Sequence, residues 1–153
     1  MTSHPRKDPL HQPGQEFDVP IRVRYFETDG MGVVHHANYL AYFEEARVET
    51  LRKLGASYKV MEEEGFFLVI TKVELNYKKP ALFDDQLIVR LRIERMTTVR
   101  IDHGYQILRD GILLVDGKTT LACVDKSGRP RPLPDLLRPT SARQHLGGFE
   151  TTA

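Results

Sequence analysis

The stretch that decides the fold runs from Asp29 to Gly55, DGMGVVHHANYLAYFEEARVETLRKLG. Its opening part, Asp29 to Tyr39, has no regular period and holds an acid, two glycines and two adjacent histidines. From Tyr39 the pattern becomes helical. Tyr39, Phe43, Ala46, Thr50 and Leu54 recur every three or four residues, with Leu40, Val48 and Leu51 beside them. This spacing predicts an amphipathic helix of about four turns. Asn38 is expected as its N-cap and Gly55 as the left-handed residue that stops it.

Outward from this segment the chain reads as strands. Upstream, Ile21, Val23 and Tyr25 alternate with Arg22, Arg24 and Phe26, predicting a short first strand before a loop over 27–38. Downstream, a shorter helix is expected over Ser57 to Glu64, ended by Gly65. Four strands follow. The first carries Val69, Thr71, Val73, Leu75 and Tyr77 and stops before Pro80. Leu87, Val89, Leu91 and Ile93, alternating with Arg90, Arg92 and Glu94, mark the second; Val99, Ile101, Tyr105 and Ile107 mark the third. Asp110-Gly111 signals a tight hairpin into the last, Ile112 to Val124, with Gly117 read as a bulge. The order β-α-β-β-β-β with short connections is α+β: a five-stranded antiparallel sheet with one long helix on one face. Outer strand residues are left for solvent or a partner.

The chain has 153 residues, formal net charge +1, 41% hydrophobic and 28% charged residues. That is the size and make-up of one soluble domain, without the basic field of a nucleic-acid binder. One cysteine, Cys123, forbids an intrachain disulfide and fits a reducing compartment. No run has the apolar length of a membrane span or the h-region of a signal peptide. A cytoplasmic protein with no integral membrane association is expected. Residues 1–18 read as a disordered arm, 19–126 as the folded domain and 127–153 as a tail of mostly loop.

Asp29-Gly30 alone is an ordinary turn. Before Gly-Val-Val-His-His and a helix start, it becomes a set of parts suited to attack on a carbonyl. An aspartate is ionised at neutral pH and is an adequate nucleophile toward a thioester, whose thiolate leaves easily. It could instead activate water, and the residue types leave both routes open. Gly30 and Gly32 permit turns that other residues resist. The helix start is expected to aim free N–H groups at the oxyanion. His36 could hydrogen-bond the carbonyl or steer a proton to the leaving thiol. His35 is expected to point elsewhere, because chain neighbours diverge. No helical His-x-x-x-His pair stands here, so no metal ligand set is read. Cys123 and His103 read as packed residues. Lys72, Lys78, Lys79, Arg90, Arg95 and Arg100 read as a solvated face in which none is singled out.

Arg24-Tyr-Phe-Glu-Thr-Asp-Gly-Met-Gly-Val-Val-His-His-Ala-Asn-Tyr39, followed by Tyr42-Phe-Glu-Glu-Ala-Arg47, resembles the hotdog-fold acyl-CoA thioesterases. Among these it is most similar to the 4-hydroxybenzoyl-CoA thioesterase group and its YbgC-like branch. The segment Tyr77 to Asp85 is similar too, and the likeness runs from about Ile21 to Val124. The resemblance implies a curved sheet wrapped around the long helix, sheets joined edge to edge into a homodimer, and homodimers paired into a homotetramer. It implies an active site at the dimer interface with Asp29 doing the chemistry and His36 beside it. Gly32, Val33, Val34, Asn38 and Tyr39 would shape the site and its oxyanion donors, with a second backbone donor at Phe67 or Leu68. Glu44 is the helix acid that could support these residues from behind, against a plain reading of Glu44, Glu45 and Arg47 as surface pairs.

The expected reaction is hydrolysis of a small or medium acyl-CoA, with coenzyme A as part of the substrate and no other cofactor. Acyl carrier protein as the thiol carrier stays open, as does the acyl group. Two alternatives stand beside it. A hotdog hydroxyacyl-thioester dehydratase would show a His-Phe-Pro loop, which is absent here. A non-catalytic acyl-CoA-binding protein would not need Asp29 in a glycine loop.

Overall fold

A computed structural model describes residues 12–138, and residues 1–11 and 139–153 lie outside it. The strands are β1 (Glu16–Arg22), β2 (Phe67–Tyr77), β3 (Gln86–Met96), β4 (Arg100–Arg109) and β5 (Ile112–Val124). They form one antiparallel sheet in the order β1-β3-β4-β5-β2. Helix α1 (Asn38–Lys53) lies across one face, and the short α2 (Tyr58–Glu63) follows it. The five-stranded α+β architecture therefore stands as read, with one long helix against one sheet face.

Periodicity explains the packing. The buried residues of α1 are Tyr39, Tyr42, Phe43, Ala46, Arg47, Thr50 and Leu51, one stripe at helical spacing. Beneath it Leu87, Val89, Leu91 and Ile93 are fully buried, while Arg92 and Glu94 on the other face are exposed. Gly55, at φ +80°, ends α1: Gly55 N–H bonds Arg52 O and Ala56 N–H bonds Leu51 O, the paired bonds of a Schellman stop. Asp110 and Gly111 both take positive φ, the geometry of a tight hairpin turn between β4 and β5.

Three local expectations change. The first strand covers Glu16–Arg22 and so begins inside the segment read as an arm, and Tyr25–Glu27 form a 3₁₀ turn instead of strand. The acids at 16 and 18 stand opposite arginines across the ladder: Asp18 takes two bonds from Arg90, at 2.9 and 3.1 Å. Pro20 is tolerated because β1 is an edge strand. Gly117 is not a bulge. It stays in register opposite Leu75 and Tyr105, and the ladder irregularities fall at Ile70/Lys72, Ile93/Arg95 and Ile107/Leu108. Gly117 is required by close approach: a Cβ there would lie 2.6 Å from Glu74 O and 2.8 Å from the Phe43 ring. Finally, the core extends past residue 126, because Leu133 and Leu137 in the proline-rich tail are fully buried. Among the described residues no helix is long and apolar enough to cross a membrane.

Candidate active site

The loop between β1 and α1 is built on Glu27. Its side chain is buried and accepts three bonds: Arg24 N–H at 2.7 Å, the Arg24 guanidinium at 3.2 Å and the Tyr42 hydroxyl at 3.2 Å. Its carbonyl accepts His35 N–H at 2.8 Å and the Asn38 side-chain amide at 2.7 Å. Burial, and then the Glu27 charge, pushes the Tyr42 phenol well above its ordinary range, so that hydroxyl stays a donor. Glu27 and Tyr42 escaped the sequence reading as site residues. The one available signal was the Arg24-x-x-Glu27 spacing, which resembles a capping box.

From this base the chain makes a tight excursion. Thr28 pairs with Val34, Asp29 N–H bonds Val33 O at 2.8 Å, and Gly32 N–H bonds Asp29 O at 3.0 Å. Gly32 has φ +77°, which a side chain would resist. The Asp29 carboxylate is exposed at the tip; its Oδ1 accepts Met31 N–H at 2.8 Å. No hydrogen bond occupies Oδ2 among the described residues.

The far side of the loop is pinned to segment 80–85. Val34 N–H bonds Ala81 O at 2.8 Å, Val33 bridges Leu82, and the Tyr39 hydroxyl accepts Ala81 N–H at 3.3 Å. Burial raises the Tyr39 phenol above its ordinary range. The segment is itself fixed by Arg109, which donates to Asp85 at 2.6 Å and to Pro80 O at 3.2 Å.

Several expected site residues take other parts. Asn38 is the first residue of α1 and not its N-cap; that place falls to Ala37, whose side chain makes no cap, because the Asn38 amide is turned back to Glu27. Three amides at the helix start are taken, and those of His36 and Tyr39 have no acceptor among the described residues. Ala37 N–H goes to His35 Nδ1 at 3.2 Å, Asn38 N–H to His35 O at 2.9 Å and Leu40 N–H to Ala37 O at 3.3 Å. His35 does not point away from His36: the two rings stack at 4.1 Å and 30°. A turn, unlike a strand, lets neighbours fold onto one side. His36 is exposed, and its carbonyl accepts the Tyr77 hydroxyl at 3.2 Å. Its surface continues into a shallow groove with Tyr39, Tyr77, Lys78, Lys79 and Pro80.

Glu44 is exposed and does not back the loop within the protomer. The buried charge on α1 is Arg47. Cys123 and His103 are buried, and burial pushes the Cys123 thiol up. Among the described residues no group of three or more His, Cys, Asp or Glu is placed to hold a metal ion.

Phe67 and Leu68 open β2, opposite Val124 and Cys123. None of the loop's hydrogen bonds reaches them among the described residues. Cys123 N–H bonds Val99 O, on the side away from β2. The Leu68–Cys123 pair is therefore a non-hydrogen-bonded one, and Leu68 N–H faces the open sheet edge. Around the loop Tyr25, Phe26, Met31, Leu82 and Phe83 are exposed, Met31 at 87%.

Residues 23–140 match the family model described as the thioesterase-like superfamily. The chain is 33% identical over 131 residues to the acyl-CoA thioesterase YbgC of Haemophilus influenzae, covering 85% of this chain and 96% of that one. A crystal structure of a probable thioesterase from Bartonella henselae superposes with TM-score 0.75 at 35% identity, covering 78% of this chain and all of the other (100%). A DHNA-CoA thioesterase from Staphylococcus aureus superposes with TM-score 0.74 at 35% identity, covering 77% and 80%.

Proposed function

We propose that this chain, which belongs to the thioesterase-like superfamily, hydrolyses small or medium acyl-CoA thioesters with Asp29 as its nucleophile. The observation that carries this is the Asp29 tip itself. Its backbone is held by ladder bonds on both sides, one carboxylate oxygen is tied to Met31 N–H and the other is open. An anchored carboxylate of this kind meets an acyl carbon with little loss of freedom.

The open oxygen attacks the thioester carbon to give a tetrahedral oxyanion. The carbon–sulfur bond then breaks, leaving a mixed anhydride on Asp29, and the thiolate takes a proton from His36. Water hydrolyses the anhydride, releasing the carboxylic acid and restoring the Asp29 carboxylate, and the remaining proton of that water returns to His36. Besides the amides at the start of α1, the oxyanion needs a second backbone donor. Leu68 of a second protomer fits that need, since its N–H faces the open edge of the sheet. The active assembly is accordingly a homodimer joined at β2, and a homotetramer if these pair again. Coenzyme A lies along the groove of His36, Tyr77, Lys78 and Lys79, whose ammonium groups suit its phosphates.

Asp29→Asn should fold normally and lose thiol release by about 10²–10⁴-fold, the usual worth of a positioned acid–base or nucleophilic group. Turnover at the wild-type rate would remove Asp29 from the reaction. A mass-spectrometric trap of the Asp29 peptide during turnover separates the routes: attack by Asp29 leaves an acyl adduct on it, whereas direct attack by water leaves none.

A further inference from the structure

Between α1 and the sheet, beneath the start of β2, lies a small cavity whose polar lining is Arg47, Thr50, Tyr58 and His103. The other walls are apolar, Leu68 among them, and no lining residue is acidic. Arg47 and Thr50 are only 5% and 3% exposed. Arg47 Nη1 donates to the Tyr105 hydroxyl at 3.0 Å, which shares a 2.6 Å bond with Thr119. A further contact joins Arg47 to the Tyr58 hydroxyl. Arg47 Nε and Thr50 Oγ1 have no hydrogen-bond partner among the described residues.

A guanidinium stays charged at any pH a protein survives. Here its partners are hydroxyls, and burial raises the phenols of Tyr58 and Tyr105 above their ordinary range, so neither supplies a countercharge. An uncompensated buried ion is strongly unfavourable. Water could satisfy the two orphaned groups but would leave the charge standing. The partly open space has room for about one water-sized atom, which suits a carboxylate oxygen and excludes a ring.

We propose that this cavity receives an anionic carboxylate oxygen, held by Arg47 Nε and Thr50 Oγ1, and that the carboxylate is the far end of the acyl group. The second half rests on the thioesterase reading: Leu68 presents its amide to the thioester while its side chain walls the cavity. The substrate class is then ω-carboxyacyl thioesters instead of plain alkyl ones.

The test compares kcat/KM for succinyl-CoA against butyryl-CoA, and glutaryl-CoA against pentanoyl-CoA, in wild type, Arg47→Met and Thr50→Val. Wild type should favour the carboxylated member of a pair by about tenfold or more, the worth of a charged hydrogen bond, and Arg47→Met should abolish that ratio. Both replacements are apolar and close in volume, and Thr50→Val carries the test if Arg47→Met does not fold. In parallel, thermal unfolding is followed in sodium acetate against sodium chloride at equal ionic strength. A rise in Tm with acetate that vanishes in the variants, without any preference between thioesters, identifies free carboxylates as the ligand. The absence of both the preference and the acetate shift overturns the proposal. A wild type that turns over no thioester sinks the thioesterase reading separately, and the acetate arm still decides the cavity.

Discussion

At Glu27 a carboxylate is taken out of water and shared among a backbone amide, a guanidinium and a phenol. Each of those donors turns into a cost if the acceptor is removed. Glu27→Ala strands Arg24 N–H and the buried Tyr42 hydroxyl and should destabilise the protein by about 2–4 kcal/mol in urea unfolding. Glu27→Gln keeps an acceptor of the same shape and should cost about half as much. Equal stability of all three proteins would show that the loop does not depend on this residue. The same residue shows where reading stops. Asp29 and His36 stood out because an acid, glycines and imidazoles occur together in one short loop. Glu27 did not, because its burial comes from Tyr42 on the helix and from the loop folding back over it. In the sequence it looks like any surface glutamate after an arginine. The His35–His36 stack was missed for a related reason: divergence of neighbours is a rule for regular elements, and this pair sits in a turn.

Among the elements, α1 and β5 meet at Gly117, where the Phe43 ring lies over the strand and stacks on Tyr105 at 4.0 Å. Gly117→Ala would drive a methyl against both that ring and Glu74 O, a backbone atom that cannot rotate away. The expected cost is about 1–3 kcal/mol by calorimetry. Adding Phe43→Leu should recover part of it, because only the ring contact is relieved; strict additivity of the two changes would deny the contact. Strands β2 to β5 and both helices were legible because their periods of two and of three to four are written locally. The start of β1 was not, since Glu16 and Asp18 read as polar until Arg90 and Arg92 stand across from them. Gly117 carried a correct signal, a glycine inside a strand, with two meanings. Only the position of the helix selects close approach over a bulge.

For the whole molecule, the feature that matters is the unpaired edge. Among the described residues β2 bonds only to β5, yet it exposes Val69, Ile70, Val73 and Tyr77. A long edge of this apolar character is a template for another strand unless something blunts it. Here a second copy would both cover it and bring the outward Leu68 amide to another protomer's loop, which would tie assembly and chemistry to one strand. The dimer was expected from resemblance; period-two reading could not find it, because alternation cannot distinguish a face meant for solvent from one meant for a partner. Placing lysines at both Ile70 and Val73 leaves the β2–β5 ladder intact and charges the edge. Sedimentation velocity should then show a monomer where wild type is dimeric or larger, and thiol release should fall by about 10²-fold or more, as for loss of an oxyanion donor. A folded monomer with undiminished turnover would mean that each protomer completes its own site, and the assignment of Leu68 across the interface would fall with it.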